Sequence, residues 1–492
     1  MMMVRRCSAK SWQLWALMLS LLIGSHCLQA QTFYVATNGA DSGANDGSIG
    51  EPWRTITFAL DQVSDGALIL VRPGLYSGRI RIRGNFANGV TVRSEVPYQA
   101  QLRHTSTVLT VFNDSADIAG IAIEGFDIAH SGAGASPLVI QIQDGDGRET
   151  SRITLRDNVL HDSFNNDILK INNGASDIVV EGNIFYNQTG SDEHIDANSV
   201  ANVRIEGNVF FNDFAASGRP NNNNTSSYIV IKDSNGGDDE YLGSQNISVR
   251  RNLFFHWEGS TGNNFLLLGE DGTPNFEADG VVVENNLMLG DSVNVMRAAF
   301  GCKGVRDVVF RANTVHGNLP SLAFAMRLNT EGANPANQNI RFYNNIWSDP
   351  STTMDDFSDT PIGETSSFVL DNNLYWNGGQ PLPEDAGELV NPSDDAQARI
   401  ADPVLPSLAG LERPVYTPGT GQFAGNYARI ADAFMGLAIQ YAEIGQASGA
   451  VDQARADQMP VDDLLGRMRT GTPDIGAWER MGADAVFADG FE

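Results

Sequence analysis

Eight copies of one short pattern, apolar-x-apolar-x-x-Asn-x-apolar, run along the middle of this chain. They read ITLRDNVL, IVVEGNIF, VRIEGNVF, ISVRRNLF, VVVENNLM, VVFRANTV, IRFYNNIW and FVLDNNLY. The key residues are Asn158, Asn183, Asn208, Asn252, Asn286, Asn313, Asn345 and Asn373, separated by 25, 25, 44, 34, 27, 32 and 28 residues. An earlier copy, IAIEGFDI, carries Phe126 at that place. Fixed-period self-similarity means stacked supersecondary units. The shortest spacing suits one coil of three short strands and three turns, with longer spacings carrying loop insertions. Alternation sends one row of side chains into a tube and the other out. A turn between strands needs left-handed backbone, which Asn tolerates, and stacked Asn amides can hydrogen-bond as a ladder. The prediction is an all-β, right-handed parallel β-helix solenoid.

Other repeat architectures fit poorly. No Leu-x-x-Leu-x-Leu frame is present, and the short, uneven period and missing Trp-Asp signature disfavour a propeller. With 19% charged residues and 50 glycines the chain is too apolar for disorder and too turn-rich for a helical protein.

The first 30 residues read as a signal peptide, with Arg5, Arg6 and Lys10 ahead of an apolar run from Trp12 to Gly24. A cleavage site follows at Leu28-Gln29-Ala30. Of three cysteines only Cys302 lies beyond it, so no internal disulfide is available and a large core must stabilise the protein. Removing three cations leaves 32 − 3 = 29 basic against 60 acidic residues, a formal net charge of −31. Such a surface excludes nucleic acid as partner and disfavours anionic membranes. The expectation is a secreted or periplasmic monomer of a Gram-negative bacterium, with no membrane insertion once the signal is removed.

Both ends of the mature chain carry further motifs. FYVATNGADSGANDGSIGEPWRTITFAL (33–60) and LILVRPGLYSGRI (68–80) open it, and DDLLGRMRTGTPDIGAWE (462–479) closes it. These resemble the first cap, first coil and closing signature of exported parallel β-helix proteins of the polysaccharide-lyase type, the pectate-lyase-like and chondroitinase-B-like superfamily. The resemblance covers most of residues 33–479 and speaks for the fold more than for an activity. It divides the chain into a signal peptide (1–30), the β-helix (31–405), a C-terminal capping segment with one helix (406–480) and an acidic-aromatic tail (481–492). The amphipathic stretch 427–445 is expected to close the solenoid's open end.

Chemistry on a β-helix sits on the outer face, in a groove walled by inserted loops. The longest insertion lies between Asn208 and Asn252 and contains GRPNNNNTSS and SNGGDDEYLG. Period-2 reading beside it points Lys170 outward from DILKI, and Asp192, His194, Asp196 and Asn198 outward from DEHIDAN. Glu193 should then face inward. Lys232 points outward from YIVIKD, and later coils add Arg297 and Arg327. β-Elimination on a uronate needs a cation to neutralise the carboxylate and a base to take the C5 proton. Lys170 and His194 are the candidate bases, and Asp192 and Asp196 the candidate ligands of Ca²⁺. Asn166, Lys232, Arg297 and Arg327 are the candidate substrate-binding residues. Many lyases of the resembled type combine calcium with a basic residue, so the resemblance implies a polysaccharide lyase acting on a uronate glycan. The alternatives are a non-catalytic glycan-binding or adhesion protein and, third, a glycoside hydrolase built on paired carboxylates. For the binder, Trp257, Trp347 and Trp376 offer either exposed platforms or packing. The motifs Asn-Thr-Asp, Gly-His-Gly and Asp-Pro-His-Asp, which would mark a polygalacturonase or a mannuronan epimerase, are absent.

Overall fold

The computed structural model describes residues 31–190, 192–217, 225–291, 294–319 and 323–480. The signal peptide, the acidic-aromatic tail and the Asn-rich stretch 218–224 lie outside the described residues. The chain winds into a parallel β-helix of three sheets, two of 12 strands and one of 10. Each strand of the main coils hydrogen-bonds to the strand three further on, one coil away.

The interior is a continuous column of Val, Ile, Leu and Phe. In the first sheet Ile153, Ile178, Val203, Ile247, Val281, Val308 and Ile340 stack in register and are buried. The eight ladder asparagines are fully buried too. Each Nδ2 donates to Oδ1 of the next at 2.9–3.1 Å, from Asn158 through to Asn373. Asp395 Oδ2 ends the column by accepting from Asn373. On each rung the same Oδ1 also accepts from the backbone N–H of the preceding ladder Asn, so the ladder amides are satisfied.

The turn itself is made differently from the expectation. The left-handed residue is the one before each ladder Asn: Asp157, Gly182, Gly207, Arg251, Asn285, Ala312, Asn344 and Asn372, with φ of 53° to 67°. The ladder side chain must point inward to stack, so its neighbour takes the bend and points out. That geometry tolerates even Arg and Ala.

The N-terminal end is closed by the helix Ile56–Gln62, whose first turn is capped by Thr55 Oγ1 accepting from the Phe58 N–H. It buries Ile56, Ala59 and Leu60 over the first coil. The C-terminal segment, expected to close the other end, runs instead along the outer face of the second sheet. The reason is a covered apolar row in which Val159, Ile184, Val209, Leu253 and Leu287 point outward in register. Returning from the last coil, the Pro406 carbonyl meets His316 Nε2, Arg413 donates to Asp213 and Tyr416 packs edge-on against Tyr98. The helix Ile430–Ala442 then runs back over this row, with the Ile430 N–H on Tyr98 Oη. Residues 450–479 fasten the edge shared with the first sheet, where Asp462 meets Arg250 and Arg251.

Candidate functional site

With the second sheet strapped over, polar groups gather on the outer face of the third. Register there is direct. Lys170 lies beside Asp196, followed by Val230, Leu267, Gly301, Arg327 and Asp359 on successive coils. Asn198 lies beside Lys232.

His194 corrects the parity reading. The strand Ile195–Asn198 begins after it, at a corner where two consecutive residues face inward. The same holds for Val139–Ile140, Ile168–Leu169 and Tyr228–Ile229, all buried. His194 therefore stacks in the core, 4.4 Å from the Tyr228 ring, with Nε2 3.0 Å from Asn212 Oδ1. Burial pushes its pKa down to about 3, so the ring is neutral and out of reach of any substrate. Glu193, expected inside, is drawn toward the site instead.

Three carboxylates meet at this corner. Asp167, Glu193 and Asp196 offer oxygen atoms within 4.8 Å of one another, and all three are buried. Asp167 Oδ1 accepts from the Glu193 N–H at 3.0 Å, while its Oδ2, like Asp196 Oδ1, has no hydrogen-bond partner. Burial, reinforced by Asp196, raises Asp167 to about 7. Burial together with Asp167 and Glu270 raises Glu193 well above the carboxylate range. Asp192, partly exposed beside them, is raised to about 6 by burial and by Asp196.

Two lysines border the cluster. Lys170 Nζ is ion-paired to Asp196 and lies 3.8 Å from Asp167. Lys232 Nζ lies 3.7 Å from Asp196, 2.7 Å from Glu270 and 3.5 Å from Asp271. Burial disfavours both charges, but Asp196 and the other carboxylates outweigh it and hold the two ammonium groups above their ordinary range. Glu277 sets the far wall by accepting from the N–H groups of Glu270, Asp271 and Gly272.

Buried oxygens without donors, crowded until they resist ionising, are what a hard divalent cation would satisfy. Asp167, Glu193 and Asp196, with Asp192 at the rim, fit Ca²⁺ by donor chemistry. Of the residues selected by pattern, Lys170, Lys232, Asp192 and Asp196 come together. Asn166 Oδ1 instead accepts from the Asp167 N–H in the turn that enters the site. Arg297 and Arg327 pair with Asp359 further along the face. Asp167, Glu193 and Glu270 were missed. The signal for the first two was the coil spacing, since 26 residues separate Asp167 from Glu193 just as they separate paired Leu169 and Ile195. Trp257 and Trp347 are fully buried and belong to packing, while Trp376 is partly exposed.

No protein-family model matches the chain, and no curated protein does. Among solved structures, pectate lyase Pel9A is 17% identical with a TM-score of 0.49, over 92% of this chain and 97% of that one. A rhamnogalacturonan lyase is 12% identical with a TM-score of 0.47, over 83% and 98%. The GH136 lacto-N-biosidase of Eubacterium ramulus is 10% identical with a TM-score of 0.49, over 76% and 67%. The chemistry of the site rests on this chain's own residues.

Proposed function

We propose that this protein is an exported polysaccharide lyase that cleaves a uronate-containing glycan by β-elimination with the help of Ca²⁺. The observation that carries the reading is the buried knot of Asp167, Glu193 and Asp196 with two partly exposed lysines beside it. A bound cation would neutralise the substrate's carboxylate and so acidify the C5 proton. Lys170 contacts two members of the knot and serves as its counter-charge. Lys232, one coil further on and bordering the knot, is the residue we assign as base in its neutral form, since a cation taking Asp196 would remove charge that holds its ammonium protonated and so lower its pKa. It takes the C5 proton, the C4–O bond breaks as the C4–C5 double bond forms, and the leaving oxygen takes a proton from solvent. A retaining or inverting hydrolase is less well supported, because the knot's carboxylate oxygens lie within 4.8 Å of one another, closer than the roughly 5–9.5 Å between the two carboxyls of a hydrolase.

The test pairs a spectroscopic assay with a binding one. The mature protein is incubated with alginate, pectate and chondroitin, and the ultraviolet absorbance of unsaturated products is followed with calcium and then with chelator. Calcium-dependent absorbance, lost in Lys232→Met, supports the reading. New reducing ends without absorbance would overturn it in favour of a hydrolase. Calcium at a hundredfold over its Kd should stabilise the protein by about 2.7 kcal/mol, and Asp196→Asn should remove that shift.

A further inference from the structure

The open face is not electrostatically symmetric about the site. Toward the N-terminus, where the third sheet turns into the first, the long 234–243 loop folds over a cleft of about 980 Å³. Its walls carry Asp114, Asp117, Asp144, Glu149, Asp239 and Glu240, against Arg148 as the one lining cation among the described residues. Burial, with Glu240 and Glu149 adding to it, raises Asp144 to about 7, so this cleft already resists further negative charge. An anionic polymer is repelled from that side.

Toward the C-terminus cations join the acidic groups. From Asp196 the register runs through Val230, Leu267 and Gly301 to Arg327, four steps, or ~19 Å at about 4.8 Å per coil. There Arg297 Nη1 and Arg327 Nε approach the same oxygen, Asp359 Oδ2, at 2.5 and 3.3 Å. Both Nε atoms are buried without an aligned acceptor among the described residues, while the side chains remain 30% and 17% exposed. Neighbouring Glu331 is taken by Lys303, and Glu364 accepts from the Thr330 N–H. Arg250 and Arg251, by contrast, are matched by three carboxylates, Glu206, Glu284 and Asp462. Two guanidinium groups sharing one carboxylate on a strongly acidic protein keep donors in hand for a planar anion.

We infer that Arg297 and Arg327 form a distal subsite for a second carboxylate of the same polymer. The substrate class is then a polyuronide whose acid groups recur along the chain, laid from the Asp167–Glu193–Asp196 knot toward the C-terminal coils. This rests on the lyase reading for its anchor point, but the subsite can be read by binding alone.

Oligouronates of increasing length are titrated by calorimetry into Lys232→Met, and into the same protein carrying Arg297→Gln or Arg327→Gln. KM is measured in the corresponding proteins with Lys232 intact. Affinity should rise with length until an oligomer spans several coils, and either Arg variant should cut that gain ten- to a hundredfold. Arg327→Lys, which keeps the charge and loses the fork, should recover only part of it. Unfolding curves identify any variant that fails to fold, and the Lys substitution then carries the test. The same length dependence in all variants would overturn the subsite. Preference for a sulfated neutral glycan over the oligouronate would overturn the uronate assignment. If no polymer is cleaved yet the length-dependent loss appears, the subsite stands and the lyase reading falls.

Discussion

The second and third sheets are built from the same coils, yet their outer faces have opposite fates. On the second, the outward row Val159, Ile184, Val209, Leu253 and Leu287 is apolar and lies beneath the C-terminal strap. On the third, the outward row holds Lys170 and Asp196 at one end and Arg327 at the other, on either side of a covered stretch with Val230 and Leu267. One backbone thus supports a structural face and a chemical one. What separates them is whether the row facing out calls for burial or for a charged partner.

The largest effects should separate along that line. Lys232→Met beside the knot should reduce turnover about 10²–10⁴-fold with the smaller loss of stability, because Lys170 still pairs with Asp196. Val209→Asp on the covered face should do the reverse. It places an unpaired carboxylate under the strap, in the class of changes that costs more than about 4 kcal/mol, and should melt or shed the C-terminal segment. Chemical denaturation followed by tryptophan fluorescence, alongside the absorbance assay, measures both. Equal losses of fold in the two variants would end the division of labour.

Inside the tube, Asn252→Ala is expected to cost about 3 kcal/mol, because it strands the Asn208 N–H and the Ile205 carbonyl without partners. Urea unfolding with an unchanged m-value would report it. This ladder was legible from sequence because the period and the Asn recur whatever the loops do. The strap's path was readable in principle, since the residue after every ladder Asn except Asn313 is apolar although alternation points it outward. It was missed because a terminal helix next to an open end suggests a cap. The candidate site was half legible. Lys170, Asp196 and Lys232 follow from strand parity, which holds inside a strand. His194, Glu193 and Asp167 sit at the corner before the strand, where two successive side chains face inward and parity fails.

A smaller effect ties the strap edge to pH. His256 lies 3.3 Å from both Asp291 and Glu258, and these bonds outweigh burial to raise it to about 9. Its folded pKa exceeds the unfolded 6.5, so its contribution is complete below about pH 6.5 and is lost as pH rises through 9. Melting temperatures of the wild type and His256→Gln should differ most near pH 6 and converge by about pH 10. A constant gap across that range would assign the loss to packing alone.

The smallest expected effect is the most diagnostic for the site. His194 is the one histidine in a stretch dense with carboxylates, and by composition alone it is the natural base. Its ring instead stacks on Tyr228 with Phe210 alongside, with Nδ1 unpartnered and its pKa down at about 3. A phenyl ring conserves that shape, removes the orphaned nitrogen and gives up one contact to Asn212. His194→Phe should therefore change stability by less than about 1.5 kcal/mol and turnover by less than threefold, with the same pH–rate profile. His194→Ala, by contrast, should lower stability through the cavity it opens in the aromatic stack, with turnover per folded molecule retained. A hundredfold loss of turnover in a well-folded His194→Phe would mean that the imidazole reaches the substrate, and that the corner rearranges when the polymer binds.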